Sequence, residues 1–347
     1  MQGANVQRIK EGTPRASIKD VAQRAGVSPQ TVSRVANGYV HVRPEMREKV
    51  LAAMKELGYR PNSAARNLKS GRFRSLGVVT FNITTLGNER TLEAVAEAGA
   101  AAGYTTTLIP VADPTRISVA GAFGRLEEQA VDGIILIMSA EFGSPDDYAL
   151  TAGLPLVIVD STATADHTLV DTDQEQGART AMQHLLDLGH RRIAHVAGPL
   201  KSFSARRRED AYARVCQEHA LDPTERHRGD WTAASGYAAG REILAERTRP
   251  TAVFAANDQM ALGVMRAAHE AGLRIPEDLS VIGFDDSDDS GSYWPPLTTI
   301  HQQFDVVGQR ATELLIAMID AEPLPENPLI PTRLVVREST GPAPAPA

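Results

Sequence analysis

Ser17–Gly38, SIKDVAQRAGVSPQTVSRVANG, decides how the amino-terminal part of this chain folds. Ser17 is suited to cap a helix, with Asp20 three positions on to complete a capping box. Ile18, Val21, Ala22 and Ala25 then recur on one helical face until Gly26 stops it. Ser28 opens a second helix with Pro29 at its first position, where the missing N–H costs nothing. Val32 and Val35 face inward, and Asn37-Gly38 ends the run. Two helices joined by the three residues Gly26-Val27-Ser28 predict a helix-turn-helix, whose second helix enters the major groove of DNA. The outward face of that helix carries Gln30, Thr31, Ser33, Arg34 and Asn37, with Ser28 at its start. Gln, Arg and Asn match base edges in bidentate fashion, and hydroxyls hold phosphates.

Working outward, a third helix is expected from near Pro44 through Val50, Leu51, Met54 and Leu57 to Gly58, completing a three-helix unit. Residues 1–74 hold 15 Lys and Arg against 5 Asp and Glu, whereas the rest holds 21 against 38. The overall charge of −7 therefore conceals a basic module on an acidic body. Each cation placed on a phosphate releases counterions, so a polyanion is the natural partner of the basic part. A solvated charge run is the alternative on charge alone. The lead before residue 16 has no periodicity and reads as disordered.

Beyond Arg74 the pattern changes to short apolar runs alternating with amphipathic stretches. LGVVTF (76–81), YTTTLIPV (104–111), DGIILIM (132–138) and LPLVIVD (154–160) form one set of buried parallel strands. RIAHVAG (192–198), TAVFAAND (251–258) and LSVIGFDD (279–286) form a second, with helices near 174–189, 203–219, 233–246 and 259–272. Two βαβ series predict two doubly wound subdomains, each opening a crevice at its strand carboxyl ends. LTTIHQQFDVVGQRATELLIAMI near the end reads as a crossing strand and a helix returning to the first set. GPAPAPA reads as an unstructured tail. The chain exceeds the size of one undivided core. It shows no membrane-length apolar run and no secretory leader, which together predict a cytoplasmic protein without a membrane partner. Its one cysteine, Cys216, fits a small packing residue in a reducing compartment.

The crevice has a chemistry of its own. Asp160, Asn257 and Asp285-Asp286 terminate strands, and Arg206 and Arg208 lie at the start of a helix following one. Carboxylate, amide and guanidinium groups engage adjacent sugar hydroxyls, and Trp231 supplies a plate for the C–H face of a ring. This favours a carbohydrate over a nucleotide, although strand-end Asp residues also serve as helix caps. Adjacent Asp285-Asp286 cannot straddle a glycosidic bond as the paired acids of a hydrolase must, and no other pair stands out; no enzyme is expected, and no cofactor or metal.

The stretch just quoted, followed by VRPEMREKVLAAMKELGYRPNSAARNLKSG, resembles the LacI/GalR family of bacterial repressors, and the similarity continues over nearly all the remaining chain. It implies an N-terminal all-α helix-turn-helix domain (16–61) with a hinge helix (62–73). An α/β periplasmic-binding-protein-like (type I) domain of two doubly wound subdomains would follow, one from 74–172 with 302–331 and the other from 173–301 with 332–340, before a disordered 341–347. The hinge would begin at Asn62 and send Ala65 and Leu68 into the minor groove, a known way of kinking DNA; a buried helix position is the alternative for Leu68. In the crevice the resemblance implies Asp160, Arg208, Asn257 and Asp285 as hydroxyl partners. Trp231 and Phe304 would be stacking walls and Gln302 a nearby polar group, with Asp286 bracing the loop. Phe304 in the core is the alternative there.

Departures are informative too. Pro29 replaces a base-reading tyrosine of one member, which predicts a different half-site. Phe81, Ile137 and Thr172 differ where that member is small, polar or aromatic, which leaves the sugar open between a β-galactoside and another glycoside or oligosaccharide. A member that tetramerises does so through a C-terminal leucine heptad helix, and ESTGPAPAPA predicts a homodimer on a palindromic operator instead. A periplasmic-type carrier would not explain residues 17–74, and a purine-sensing member of the family fits Trp231 and the hydroxyl partners less well.

Overall fold

The computed structural model describes residues 16–36, 39, 41–59, 72–81, 83, 85–111, 116–137, 153–160, 168–221 and 227–344. The chain divides into two compact units, Met1–Phe73 and Arg74–Ala347.

In the first unit, α1 (Ile18–Ala25), α2 (Pro29–Ala36) and α3 (Pro44–Glu56) enclose a small core. The Ser17 hydroxyl accepts from the Asp20 amide at 3.3 Å and the Asp20 carboxylate accepts from the Ser17 amide at 2.7 Å, so two helix-end donors are satisfied reciprocally. Gly26 ends α1 at φ 67°, a left-handed conformation that costs glycine nothing. Ser28 accepts from the Thr31 amide at 3.1 Å and so starts α2. Val21, Ala22, Val32, Val35, Val50, Ala53 and Met54 are buried together. Leu51 points the other way and is exposed. Residues 60–71, and with them most of the expected hinge helix, lie outside the described residues; Arg72 and Phe73 are described, and neither is helical.

In the second unit, β1 (Ser75–Phe81), β2 (Thr105–Val111), β3 (Gly133–Ile137), β4 (Leu156–Val159) and β5 (Thr168–Val170) form a parallel sheet in the order β2-β1-β3-β4-β5. Helices α4 (Leu86–Ala101) and α5 (Arg116–Glu128) cover it. The second lobe has β6 (Ile193–Ala197), β7 (His227–Arg228), β8 (Ala252–Ala255) and β9 (Ser280–Ile282), parallel in the order β7-β6-β8-β9. Around it lie α6 (Gln174–Asp187), α7 (Phe203–Glu218), α8 (Ala233–Ala245) and α9 (Asp258–Glu270). The crossing strand β10 (Thr299–His301) leads into α10 (Phe304–Ile319), whose Val307, Ala311, Leu314 and Leu315 pack against β3, β4 and Val95 of α4 in the first lobe, as the sequence predicts. β11 (Arg333–Val335) then pairs antiparallel with β10.

Each lobe sandwiches its sheet between two apolar clusters. The chain passes between lobes three times, and the passages adjoin: Thr172 bridges Ile330, and Asp285 bridges His301. The carboxyl ends of both sheets therefore face one cleft, where such folds place ligands. The tail corrects one expectation, because residues 341–344 are held in place. The Gly341 carbonyl accepts from His190 Nε2 at 3.0 Å, its amide donates to Ser280 at 3.0 Å, and the Ala343 amide donates to the Leu188 carbonyl at 2.8 Å. Hydrogen bonds from the tail's backbone to two side chains and one carbonyl, invisible to composition, order the start of a low-complexity segment. Among the described residues no helix is long and apolar enough to cross a membrane.

Candidate effector cleft and DNA-reading helices

All seven residues singled out for the crevice, Asp160, Arg208, Trp231, Asn257, Asp285, Gln302 and Phe304, line one cavity of about 180 Å³ in the second unit. Arg208 comes from the first turns of α7, which Ser202 caps by accepting from the Ala205 amide. Its guanidinium is buried and lies over the Phe284 ring at 3.8 Å and the Trp231 ring at 5.6 Å. Nε donates to Gln174 Oε1 at 2.8 Å, Nη1 donates to the Ala256 carbonyl, and Nη1 stands 3.6 Å from Asp285 Oδ1. Trp231 has φ 74°, and its ring lies so close to Gly198 at the end of β6 that a Cβ there would meet Cη2 at 2.4 Å.

Asp160 and Asp285 are held by turns with positive φ, 58° and 114°, immediately after β4 and near the end of β9. Strain of this kind is common where side chains are aimed at ligands. Burial pushes the Asp160 carboxyl up to about 7, against the pull of Arg208 and a hydrogen bond from Ser204. Burial likewise raises Asp285 to about 6, opposed by Arg208 and Gln302. Asp160 Oδ1 is inaccessible and has no hydrogen-bond partner, so this oxygen is not serving as a helix cap. Asn257 does cap: its Oδ1 accepts from the Met260 amide at 2.9 Å at the start of α9, while Nδ2 donates to the Trp231 carbonyl at 3.1 Å. It serves both as a cap and as part of the lining. Gln302 Nε2 donates to Asp285 Oδ1 at 2.7 Å. Phe304, the first residue of α10, is half-buried and lies against Gly87, rather than filling the core. Asp286 braces its loop, accepting from Arg337 Nη2 at 2.7 Å with His301 Nδ1 at 2.9 Å.

Ile137 and Thr172 also line the cavity, but Phe81 does not; it is buried among Val79, Ile109 and Phe123 at the back of the first sheet. Among the further lining residues that escaped the sequence reading are Asn88, Asp171, Gln174, Ser204 and Asp258. Asp171 follows β5 as Asp160 follows β4, and the pattern LVD beside VIVD was the signal available. Burial and the charge of Asp160 raise its carboxyl well above the ordinary range. Asp258 is held near 8 by burial and by the charge of Asp285, and accepts from Thr299 at 2.5 Å and the Ser287 amide at 2.7 Å. Gln174 carried no sequence signal at all.

In the first unit, Gln30 and Arg34 are exposed on α2 opposite buried Val32 and Val35, with Thr31 and Ser33 half-exposed beside them. Ser28 is exposed at the helix start, its hydroxyl 3.0 Å from that of Thr31. Asn37, Asn62, Ala65 and Leu68 lie outside the described residues.

A helix-turn-helix joined to a two-lobed domain with a polar, aromatic-walled cleft defines a class: the ligand-responsive transcriptional regulator. The pattern of bacterial regulatory proteins of the lacI family matches residues 17–62, and that of the periplasmic binding protein-like domain matches residues 182–340. The chain is 37% identical over 327 residues to the lactose operon repressor of Escherichia coli K12, covering 93% of this chain and 90% of that one. A crystal structure of the lac repressor dimer bound to operator and the anti-inducer ONPF superposes with a TM-score of 0.86 at 36% identity, covering 94% and 99% of the two chains. The chain is 38% identical over 331 residues to the HTH-type transcriptional repressor PurR of Pasteurella multocida, covering 93% and 98%. A CelR–cellobiose complex matches with a TM-score of 0.70 at 32% identity, covering 94% and 100%. The chain belongs to the lacI family and is a DNA-binding transcriptional repressor of the LacI/PurR type.

Proposed function

We propose that this repressor holds carbohydrate-utilisation genes silent and leaves its operator when a glycoside fills the cleft. The observation that carries the reading is the pairing of a buried guanidinium and carboxylates with two aromatic walls in one cavity. Arg208, Asp160, Asp285 and Asn257 offer donors and acceptors to adjacent hydroxyls, while Trp231 and Phe304 offer apolar faces to the ring, the combination that suits a pyranose. Similarity to a repressor of lactose genes and to a regulator seen with cellobiose supports a disaccharide or β-glycoside. Ile137 and Thr172 would shape the end of the cleft that surveys the second sugar or aglycone.

On the DNA side, Gln30, Arg34 and Asn37 would read base edges, with Ser28, Thr31 and Ser33 on phosphates. Asn62, Ala65 and Leu68 would form the hinge, with Leu68 opening the central step of a palindrome. A homodimer provides the matching two-fold symmetry. A repressor working on operator DNA would do so in the cytoplasm.

A purine effector is the second reading, favoured by the likeness to PurR and by two aromatic walls able to sandwich a base. One screen separates them: melting of the full-length protein with lactose, cellobiose, simple hexoses, hypoxanthine and guanine, followed by operator release on a labelled palindrome. A ligand at 100 times its Kd stabilises by roughly 2.7 kcal/mol. Stabilisation by a sugar together with loss of operator binding is expected. Stabilisation by a purine alone would overturn the glycoside assignment.

A further inference from the structure

The four polar residues at the base of the cleft form a directed hydrogen-bond chain. Arg208 Nε donates to Gln174 Oε1 at 2.8 Å, Gln174 Nε2 donates to Gln302 Oε1 at 3.0 Å, and Gln302 Nε2 donates to Asp285 Oδ1 at 2.7 Å. The ends fix the direction. A guanidinium can only donate and an ionised carboxylate can only accept, so each amide between them has one orientation that satisfies both neighbours. Reversing either amide would set oxygen against oxygen or N–H against N–H in a buried site. Arg208, Gln174 and Gln302 are all buried, and the residues at the middle of the chain sit at passages between lobes, Gln174 after β5 and Gln302 after β10.

We propose that Gln174 is a positioning residue for effector recognition: with both polar ends of its amide taken by protein partners, it holds the Arg208 guanidinium in register with the Gln302–Asp285 pair. Gln174 accepts from Arg208 Nε and the Ala256 carbonyl from Nη1, so three of the five N–H groups of the guanidinium, two of them on Nη2, are left to engage a ligand. Gln302 occupies Asp285 Oδ1, so Oδ2 is the acceptor that remains. One hydroxyl of the effector accepts from the first and its neighbour donates to the second. Without Gln174, Asp285 still holds Gln302 Nε2, but Arg208 Nε loses its acceptor and Gln302 Oε1 its donor, so the guanidinium is no longer held in register with the Gln302–Asp285 pair.

This rests on the glycoside reading, and its test has an arm that does not. Gln174→Leu cuts the chain. Gln174→Glu presents only acceptors, so it keeps the Arg208 bond but turns the Gln302 oxygen toward Asp285. Gln174→His preserves both bonds while the imidazole is neutral, since one ring nitrogen accepts and the other donates, and sets N–H against the Arg208 Nε–H once both are protonated. With lactose and cellobiose as probes, the Leu and Glu variants of the full-length protein are expected to bind at least about tenfold more weakly, with operator affinity unchanged. The His variant should bind well at pH 8 and lose affinity by pH 5.5 far more steeply than wild type. Leu and His variants within twofold of wild type at both pH values would overturn the proposal. So would a His variant as weak as the Leu variant at pH 8. Independently of any sugar, selective ¹⁵N labelling of arginine should show the Arg208 Nε–H protected from exchange in wild type and exposed in Gln174→Leu; unaltered protection would overturn the proposal even if neither sugar binds. Failure of both sugars to bind wild type with the Nε–H result intact would instead count against the glycoside reading alone.

Discussion

Arg208 concentrates more of the cleft's chemistry than any other single side chain. Its Nε and Nη1 each donate a hydrogen bond, the group stacks on Phe284, and Asp285 lies 3.6 Å away. Removing one partner of such a buried pair leaves the other charge uncompensated, a penalty of about 3–5 kcal/mol. Arg208→Ala should therefore abolish the effector response, with at least a hundredfold loss in calorimetric affinity, while operator binding measured without effector is retained; preserved induction would remove it from the site. Asp160 acts in the opposite sense. The folded chain holds its carboxyl at about 7 and that of Asp258 at about 8, both above the value of 3.8 for a free carboxyl. The folded state thus binds these protons more tightly, and the stability they contribute is complete below about pH 4 and lost as pH rises through 7 to 8. Asp160→Asn cannot ionise. It should flatten the fall in melting temperature between pH 5 and pH 8, leaving the ligand-free variant a few degrees more stable at pH 8, roughly 2–4 °C per kcal/mol, while weakening effector binding. A steeper fall would refute this.

At the scale of elements, the DNA-reading unit depends on local signals because its core is so small. Seven residues form that core, so one capping box is a large share of what holds α1. Ser17→Ala should cost about 1 kcal/mol, seen as faster hydrogen exchange at the Val21–Ala25 amides with little change in the second unit; equal exchange would show the cap to be dispensable. The same signals made these helices legible. Capping residues, Gly26 and 3.6-residue spacing placed α1, α2 and α3 to within about two residues. All seven apolar runs became strands, six of them buried on both faces, whereas β2 buries only Ile109 and Val111. β5, β7 and β11 had no such mark: they are two or three residues long and are defined by neighbours far away in sequence. The cleft divided likewise. Strand-end Asp160, Asn257 and Asp285 could be read from the chain, but Gln174 looks like any polar residue opening a helix until Arg208 is seen 2.8 Å away.

For the whole molecule, the separation of charge assigns labour. The basic first unit can hold DNA, while an acidic body discourages its spread along the duplex. Two sites in one equilibrium must also influence each other equally. If effector weakens operator binding by a factor within the usual 5- to 150-fold range, operator must weaken effector binding by the same factor. Titrating each ligand in the presence and absence of the other checks this, with light scattering giving the mass of a dimer throughout. Unequal factors, or a tetramer, would require a different assembly or more than two states.

The position of Trp231 has a practical consequence. The chain has two tryptophans, and Trp294 is 93% exposed whereas Trp231 lies in the cleft beneath a guanidinium. Replacing Trp294 with Phe would leave one indole, already seated in the cleft proposed to take the effector. Its fluorescence should shift to shorter wavelength as bound sugar displaces water, so that occupancy can be followed in real time without a label; an emission spectrum indifferent to a ligand that releases the operator would mean that the ligand does not lie against this ring.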